Sequence, residues 1–409
     1  MNRLETFLQS QVEAQELDIS ELLDALVGDA VDAAASDLHI EPWDGRALVR
    51  FRINGILYVH ADLDLGLLER LSGRAKILGE MRRFNPSAPQ EGRSGWEAGE
   101  EVQLRISVFP SILGDKIVIR LFDTRERSFD LGALGFDDAP LVKLKDTLKA
   151  SDGVVLFTGP TGSGKTTAMY ASMSYLADKF GEAISMSSVE DPVEFNLPMV
   201  CQAQVDNQRE FTYPVALRSL LRQDPQVILV GEIRDPDTAA IAINAGLTGH
   251  LVVSTIHSPG TAAVFVRLIH MGVEPFLIAS SLRAVVGLRL ANHNCPYCSE
   301  PYEPEARFVE LLGPKFLETA QLRRGKGCEY CGQTGFSGRR ALQEIITVDE
   351  PIQTAILRKA TAGEIETIAR EVGFQSLWES GLQRVASGEL AIEELTRVVS
   401  PGRPNPTTG

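Results

Sequence analysis

The spacing of apolar positions changes along the chain and divides it into regions. Within residues 1–35, leucine and valine recur at helical spacing among acidic residues, which predicts a short helical segment. Residues 36–122 show short runs with strand-like alternation around one helix at about 67–81, and Asn54 and Gly55 are the residue pair of a tight hairpin turn. Strands are expected at 38–41, 47–53, 56–59, 102–108 and 116–122. This region is therefore predicted to be a small α+β domain.

Residues 139–290 alternate apolar strands with helices, which is the pattern of a parallel sheet flanked by helices. Strands are expected at 153–158, 183–189, 199–204, 227–231 and 250–256, and helices at 164–179, 212–222, 236–247 and 259–271. Ligands on such a sheet bind at the carboxyl ends of the strands. The charged and then glycine-bearing residues 123–138 have no sustained period and are expected to link the two domains.

The remainder of the chain is expected to form three further regions. Residues 291–340 carry four cysteines and are treated as one element, and residues 341–400 are predicted to form several short helices. The tail at 401–409 is rich in Pro, Thr and Gly and is expected to be disordered.

Composition and charge indicate which classes of protein this chain can belong to. A hydrophobic content of 44% with 23% charged residues is typical of a soluble globular chain. Apolar stretches are only a handful of residues long, and residues 277–290 are interrupted by Arg283 and Arg289, so no membrane span is expected. The first ten residues lack the apolar core of a secretory signal, which favours the cytoplasm. The net charge of −15 opposes direct nucleic-acid binding, although a local basic channel remains compatible with it.

One motif predicts nucleotide binding. After the apolar run 154–157 and before a predicted helix, the chain fills every position of the pattern GxxxxGK followed by Ser or Thr. We call these residues the P-loop: Gly159, Pro160, Thr161, Gly162, Ser163, Gly164, Lys165 and Thr166. Its backbone N–H groups and helix N-terminus are suited to phosphates, Lys165 to the β and γ oxygens of ATP, and Thr166 to Mg²⁺.

Acidic residues end two of the predicted strands. Glu232 follows the apolar run 227–231 and is the candidate for holding the Mg²⁺ shell or a nearby water. Glu190, Asp191 and Glu194 end another strand of the same sheet. Any one of these three carboxylates could orient the attacking water.

Basic residues offer further candidates. His257 follows the strand at 251–256, where it could sense the γ-phosphate or serve as a structural residue, whereas His250 before that strand is expected to be structural. A phosphate-cleaving site also needs positive charge at the developing oxygens, and an arginine from a neighbouring domain or subunit commonly supplies it. The candidate arginines are Arg93, Arg105, Arg218 and Arg222.

The spacing of four of the five cysteines indicates metal binding, since disulfides are rare in the cytosol. Two CxxC pairs, Cys295 with Cys298 and Cys328 with Cys331, suit one tetrahedral Zn²⁺. Four thiolates close the coordination sphere, so the expected role is structural. Cys201 lies in a predicted apolar strand and is expected to be a small core residue.

Seven stretches together resemble the secretion ATPases that power type II secretion and type IV pilus assembly. They occur in the order of that family, at residues 36–42, 89–93, 158–167, 190–194, 217–225, 231–235 and 247–257. The third stretch includes Thr167 beside the P-loop. With the cysteine pairs, the resemblance covers roughly residues 36–400, and the cysteine pairs resemble the assembly members of the family and not the retraction members.

The resemblance implies a fold, a reaction and an assembly. The fold would be a RecA-like P-loop ATPase core preceded by a PAS-like α+β domain, with a zinc-binding element and C-terminal helices. The protein would be a homo-hexameric, Mg²⁺-dependent ATPase, with nucleotide between the first two domains and the ring acting on an inner-membrane platform protein. Glu190 would be the general base, the arginines Arg93 and Arg105 would reach the phosphates, and His257 would belong to the nucleotide site.

Two departures and two alternatives accompany this interpretation. In place of the large N-terminal docking domain of many type II members, about 35 residues are found here. Residues 82–86 are also irregular, where a helix-to-turn connection is expected.

The first alternative to this interpretation is a hexameric translocase of the related DNA-transfer type. The second is an inactive scaffold that binds nucleotide without turnover, which the presence of Lys165, Glu190 and Glu232 opposes.

Overall fold

A computed structural model describes residues 2–11, 17–82, 88–97, 101–123 and 129–401. The chain forms two compact units, Met1–Arg127 and Ser128–Gly409. The boundary between the units falls within the predicted linker 123–138, of which residues 124–128 lie outside the described residues. Residues 129–138 belong to the second unit, where Leu131 and Phe136 are buried.

The first unit is one antiparallel sheet with helices on one of its faces. Its elements are α1 (Arg3–Gln11), α2 (Ile19–Asp32), β1 (Asp37–Trp43), β2 (Arg46–Ile53), β3 (Ile56–Asp64), α3 (Gly66–Leu78), β4 (Gln90–Glu97), β5 (Glu101–Ser111) and β6 (Gly114–Asp123). The strand order is β3-β2-β1-β6-β5-β4. Asn54 and Gly55 join β2 to β3 with φ of 51° and 84°, so the predicted tight turn is confirmed.

The N-terminal helical segment packs on this unit instead of standing apart from it. Leu22, Leu23 and Leu26 of α2 are fully buried in the same core as Leu38 and Ile40 of β1. Leu38 and Ile40 alternate with Asp37, His39 and Glu41, so β1 gives its apolar residues to the helix-covered face and its polar residues to the other face.

The second unit is a seven-stranded sheet covered by helices. Its elements are α4 (Asp138–Leu148), β7 (Gly153–Thr158), α5 (Lys165–Phe180), β8 (Met186–Glu190), β9 (Val200–Gln204), α6 (Tyr213–Leu220), β10 (Val227–Ile233), α7 (Pro236–Leu247), β11 (Leu251–Ile256), α8 (Thr261–His270), α9 (Pro275–Ser281), β12 (Leu282–Asn294), β13 (Ser299–Pro301), α10 (Ala306–Leu312), α11 (Pro314–Thr319), β14 (Arg323–Gly325), β15 (Phe336–Thr347), α12 (Glu350–Leu357), α13 (Ala362–Glu371), α14 (Leu377–Ala386) and α15 (Ile392–Val398).

The sheet order is β15-β12-β7-β11-β10-β8-β9, in which β15 alone runs antiparallel to its neighbour. All six residues of β7 are buried, because helices cover both faces of the sheet. Val154 and Leu156 pack toward α7 and α8, whereas Val155 and Phe157 pack toward α4 and α5. The continuous apolar runs of the sequence are those of a parallel sheet buried on both faces.

The strands and helices predicted for this unit occur in the predicted order, but the predictions omit α4, α9, β12 and β15. The strand β12 crosses the expected domain boundary at residue 290, and β15 occupies residues expected to belong to the cysteine element and the C-terminal helices. Cys201, expected in the core, is exposed, because β9 is the edge strand of the sheet. The helices after β15 are short, as predicted.

Among the described residues, no helix has both the length and the apolar composition needed to cross a bilayer.

Candidate functional site

The P-loop connects the carboxyl end of β7 to the start of α5. Gly159, Gly162 and Gly164 have φ of 147°, 75° and 92°, and side chains with a Cβ rarely adopt this region. A Cβ on Gly159 would also lie 2.5 Å from the Leu288 carbonyl oxygen of the neighbouring strand β12. The glycines are therefore required by the path of the backbone, which brings the loop to the N-terminus of a sixteen-residue helix.

Lys165 is the first residue of α5, and its ammonium lies over the loop. Its Nζ donates to the carbonyl oxygens of Gly159 and Pro160, each at 2.8 Å. Burial lowers the pKa of Lys165, the carboxylate of Glu232 opposes this shift, and the charge of Arg289 adds to it.

Glu232 and His257 form a link to the P-loop. Oε1 of Glu232 lies 3.1 Å from Nε2 of His257, and Nδ1 of His257 lies 3.3 Å from the Gly159 carbonyl oxygen. Each ring nitrogen of His257 therefore faces an oxygen atom, one on the Glu232 carboxylate and one on the P-loop backbone. Arg234 donates to the other oxygen of Glu232 at 2.7 Å. The sequence predicts Glu232 and His257 as two separate candidates and does not predict the contact between them.

Glu190, the last residue of β8, is buried and held by three donors. Oε1 accepts from the Ser188 hydroxyl at 2.5 Å and from the Gln202 amide at 3.0 Å, and Oε2 accepts from the Tyr170 hydroxyl. Burial raises the pKa of Tyr170, and its hydrogen bond to Glu190 adds to that shift. Tyr170 is on α5, the helix that begins at Lys165, so one helix connects the P-loop to the Glu190 carboxylate.

The parallel strands β7, β8, β10 and β11 deliver these groups to one edge of the sheet. Lys165, Glu190, Glu232 and His257 all lie at or beyond the carboxyl ends of their strands, as the sequence predicted. His250 precedes β11 at the opposite edge, where its Nδ1 lies 3.1 Å from the Ala245 carbonyl oxygen at the end of α7. Its environment agrees with the structural role expected for it.

Arg289 of β12 is a candidate that the sequence analysis missed. Its guanidinium donates to the carbonyl oxygens of Leu288 at 2.8 Å and of Pro259 at 3.4 Å, beside Gly159. Burial lowers the pKa of Arg289, and the carboxylate of Glu344 opposes the shift. The signal in the sequence is an arginine inside an apolar run.

Arg218 is exposed on α6, and its side chain has no hydrogen bond or ion pair with the P-loop among the described contacts. Arg222 donates to its carbonyl oxygen at 2.8 Å. The geometry of the second unit therefore does not bring Arg218 into the group formed by Lys165, Glu232 and His257.

The first unit carries a row of arginines across its sheet. Arg93 pairs in register with Arg105, Arg105 with Arg120, Arg120 with Asp37, and Asp37 with Arg52. Like charges directly opposite each other on neighbouring strands are destabilising, so this row has a cost that an anion would relieve. Arg120 was not among the predicted residues.

The acids near this row compensate part of its charge. Arg105 pairs with Glu91 at 2.7 Å, and Nε of Arg120 lies 2.9 Å from Asp37. Burial would raise the pKa of Asp37, but hydrogen bonds from Ser36 and Arg120 and the charge of Arg120 outweigh it and hold that pKa below its usual value. Arg93 is exposed. The net charge of the row remains positive.

The two CxxC pairs meet as predicted. The four Sγ atoms of Cys295, Cys298, Cys328 and Cys331 all lie within 4.8 Å of one another. The distances between Cys295 and Cys328 and between Cys298 and Cys331 are both 3.9 Å. Four sulfurs around a tetrahedral zinc, with bonds of about 2.3 Å, are about 3.8 Å apart, so the donor set fits this ion.

Backbone N–H groups surround the cysteine sulfurs. Gly327 donates to Cys298 Sγ at 3.3 Å, and Cys328 and Gly335 each donate to Cys331 Sγ at 3.2 Å. Burial would raise the pKa of Cys331, but these hydrogen bonds outweigh it and lower that pKa to about 6. Donors to sulfur favour the thiolate, which is the form of cysteine that binds metal.

A family model and two related proteins each match more than nine-tenths of this chain. The model of the family described as "Type II/IV secretion system protein" matches residues 12–397. The type II secretion system protein E of Pseudomonas aeruginosa is 37% identical over 381 residues, which are 93% of this chain and 75% of that protein. The type IV pilus assembly ATPase PilB of Myxococcus xanthus is 36% identical over 395 residues, which are 95% of this chain and 69% of that protein.

Solved structures show the same fold at lower identity. The ATPase DotB of Legionella pneumophila is similar with a TM-score of 0.66 at 19% identity, over 92% of this chain and 94% of that chain. The pilus retraction motor PilT with bound ADP is similar with a TM-score of 0.62 at 19% identity, over 94% and 97% of the two chains. These likenesses confirm the predicted α/β ATPase fold.

Proposed function

Because this chain belongs to the type II/IV secretion system protein family, we propose that it is a motor whose ATP hydrolysis drives the assembly of a pilus or pseudopilus. That it is an ATP-hydrolysing enzyme follows from the family. The observation that carries the proposal is the P-loop with Lys165, Glu232 and His257 joined around it. The function then lies in the motion that hydrolysis causes.

The P-loop residues and Thr167 are assigned to ATP and Mg²⁺. The N–H groups at the start of α5 hold the phosphates, Lys165 reaches the β and γ oxygens, and Thr166 offers its hydroxyl to Mg²⁺. Glu232 is suited to a water of the Mg²⁺ shell, and His257, held between Glu232 and Gly159, is placed to contact the γ-phosphate. Each role uses a group that already lies at the loop.

Glu190 is assigned as the general base. An ionised carboxylate has about four acceptor positions. Hydrogen bonds from Ser188, Gln202 and Tyr170 use three of them, which leaves one for a water. The three donors also fix the orientation of the carboxylate, which a group that must align an attacking water requires.

The arginine row of the first unit is assigned to the charge that develops on the phosphates. Arg93 and Arg105 are assigned this role because they match first-domain arginines of the family. Arg120 is assigned the same role because it lies next to Arg105 in the same row. Arg218, exposed on α6, is kept as a candidate for a contact with a nucleotide held by a neighbouring chain. All of these groups are fixed positive charges of the kind that phosphoryl transfer uses.

The four cysteines are assigned to a structural Zn²⁺. Replacing Cys298 by serine is expected to reduce the zinc content from about one ion per chain to nearly none and to lower the melting temperature, since closed thiolate sites contribute folding free energy. The measurements are elemental analysis and thermal unfolding. Cys201→Ser is the matched control, because Cys201 is exposed on the edge strand β9 and should change neither quantity. A parent protein that contains no zinc would contradict the assignment.

The assembly is proposed to be a homo-hexamer in the cytoplasm that is recruited to the inner membrane by a platform protein, without direct nucleic-acid binding. Purified protein is expected to become hexameric with a non-hydrolysed ATP analogue and Mg²⁺, and its ATPase rate is expected to rise with assembly, because arginines of neighbouring chains then complete the site. The measurements are mass in solution and ATPase rate across the same concentrations. A monomer with full activity would refute the ring mechanism, and stimulation by single-stranded DNA would favour a DNA translocase.

A further inference from the structure

We propose that Glu344 is a positioning residue for ATP hydrolysis, which acts by fixing the loop that carries His257. We call residues 257–260 the histidine loop. This inference rests on the proposed function, because it requires the nucleotide site at the P-loop. Glu344 lies in β15, a strand that the sequence analysis did not predict, and it touches none of the groups assigned to ATP.

Glu344 is a buried carboxylate that caps two helices at once. Its side chain is 7% exposed. Oε1 accepts from the backbone N–H of Thr261 at 3.1 Å and from the Thr261 hydroxyl at 3.0 Å, and Oε2 accepts from the backbone N–H of Leu377 at 3.1 Å. Thr261 and Leu377 are the first residues of α8 and α14. A carboxylate at a helix N-terminus is stabilised by the unpaired N–H groups and the dipole there.

The helix α8 depends on this distant carboxylate for its cap. Its N-cap residue is Gly260, which has no side chain to accept a hydrogen bond. Ser, Thr, Asp or Asn at that position would cap the helix locally. The cap comes instead from another strand, so the end of the histidine loop is attached to the β15 side of the sheet.

The same carboxylate lies close to the P-loop strand through the sheet. Glu344 pairs in register with Gly287 of β12, and Gly287 pairs with Thr158, the last residue of β7. A Cβ on Gly287 would lie 2.6 Å from Cγ of Glu344, so glycine is what allows the Glu344 side chain to cross β12 toward α8. The hydroxyl of Thr158 in turn donates to the Ser258 carbonyl oxygen at 3.2 Å.

The histidine loop is therefore held at both of its ends. At its start, His257 contacts Gly159 and Glu232, and Ser258 receives the hydrogen bond from Thr158. At its end, Glu344 holds Thr261. A displacement of about 1 Å in a catalytic group can reduce a rate by as much as a hundredfold, so loss of one of these attachments should affect turnover.

The first test compares two buried glutamates that each accept a backbone N–H group of a distant element, although Glu394 also pairs with Arg397. Glu344→Gln is expected to lower kcat about tenfold with little change in KM, since the loop that positions His257 is loosened while the P-loop is intact. The matched control is Glu394→Gln. Glu394 is 4% exposed and accepts the backbone N–H of Asn292 of β12 at 2.7 Å, but it anchors α15. Both variants should lower the melting temperature, and the control should retain kcat.

The second test asks whether Glu344 acts through His257. The double variant Glu344→Gln with His257→Ala is expected to have the kcat of His257→Ala alone, because an effect that passes through one side chain is lost when that side chain is removed. If the two losses multiply, the positioning role is wrong. Wild-type kcat in Glu344→Gln would overturn the inference and leave the proposed function intact. Wild-type kcat in His257→Ala would overturn the role of His257 and the inference together.

A third variant covers the case in which Glu344→Gln does not fold. Glu344→Asp keeps the charge but withdraws both oxygens by one methylene, so it should also lower kcat and leave KM nearly unchanged. A stable Glu344→Asp protein with wild-type kcat would contradict the inference, since the two helix ends would then not need a carboxylate at that distance.

Discussion

Replacement of Lys165 by alanine is expected to lower the kcat of ATP hydrolysis by about 10²–10³-fold, the loss that follows removal of one preorganised donor to a developing charge. Lys165 is the only lysine of the P-loop, and its ammonium lies over the carbonyl oxygens of Gly159 and Pro160. Without it, the charge that builds on the transferred phosphoryl oxygens has lost its nearest cation in the loop. Steady-state ATPase kinetics and binding of a non-hydrolysed ATP analogue are the measurements.

The matched control for this variant is Lys179→Ala. Lys179 lies near the end of the same helix, α5, where it is exposed and lies over the ring of Phe180. This variant removes one positive charge from α5 without touching the loop, so its kcat should equal that of the wild type. Unchanged turnover in Lys165→Ala would refute the phosphate-binding role of the P-loop.

Replacement of Glu190 by glutamine should separate binding from hydrolysis. We expect kcat to fall by about 10²–10⁴-fold, the usual contribution of a general base, while the affinity for ATP and Mg²⁺ is retained. The amide keeps the size of the side chain and remains within reach of Ser188 and Tyr170, but it cannot accept a proton from water. The measurements are single-turnover hydrolysis and nucleotide binding on the same preparation.

The neighbouring acid provides the control for Glu190. Asp191 is exposed, whereas Glu190 is buried and held by three donors, so Asp191→Asn is expected to keep the wild-type kcat. If Asp191→Asn loses activity and Glu190→Gln keeps it, the base has been assigned to the wrong carboxylate of this segment. The comparison therefore tests which acid is used as well as whether one is needed.

Features encoded by neighbouring residues could be predicted from the sequence. The P-loop is a contiguous strand, turn and helix, and its glycines are required by local backbone geometry. The Asn54 and Gly55 turn is likewise local. The meeting of the two CxxC pairs could also be predicted, because two such pairs at this spacing are typical of one metal site.

Features that depend on distant pairings could not be predicted in this way. The strand β15 is recognisable only through its pairing with β12, and β4 only through its pairing with β5. Cys201 was placed in the core because apolar neighbours suggest a central strand, whereas its exposure follows from the position of β9 at the sheet edge. Arg120 and Glu344 gain their surroundings from other strands, so their own sequence neighbours give no reason to select them.

The cysteine element has a consequence for the sheet edge. β12 and β15 are the two arms of one antiparallel hairpin, whose mouth is the pair Asn294 and Phe336. About forty residues lie between the arms, and the entropy lost in closing a loop grows with its length. Zinc held by Cys295 and Cys331 would join the two arms just beyond that mouth. An ion bound there would reduce most of the conformational entropy that is lost when the hairpin closes. Removal of the ion should therefore break the hydrogen bonds between β12 and β15, beginning at the cysteine end and continuing toward Gly287.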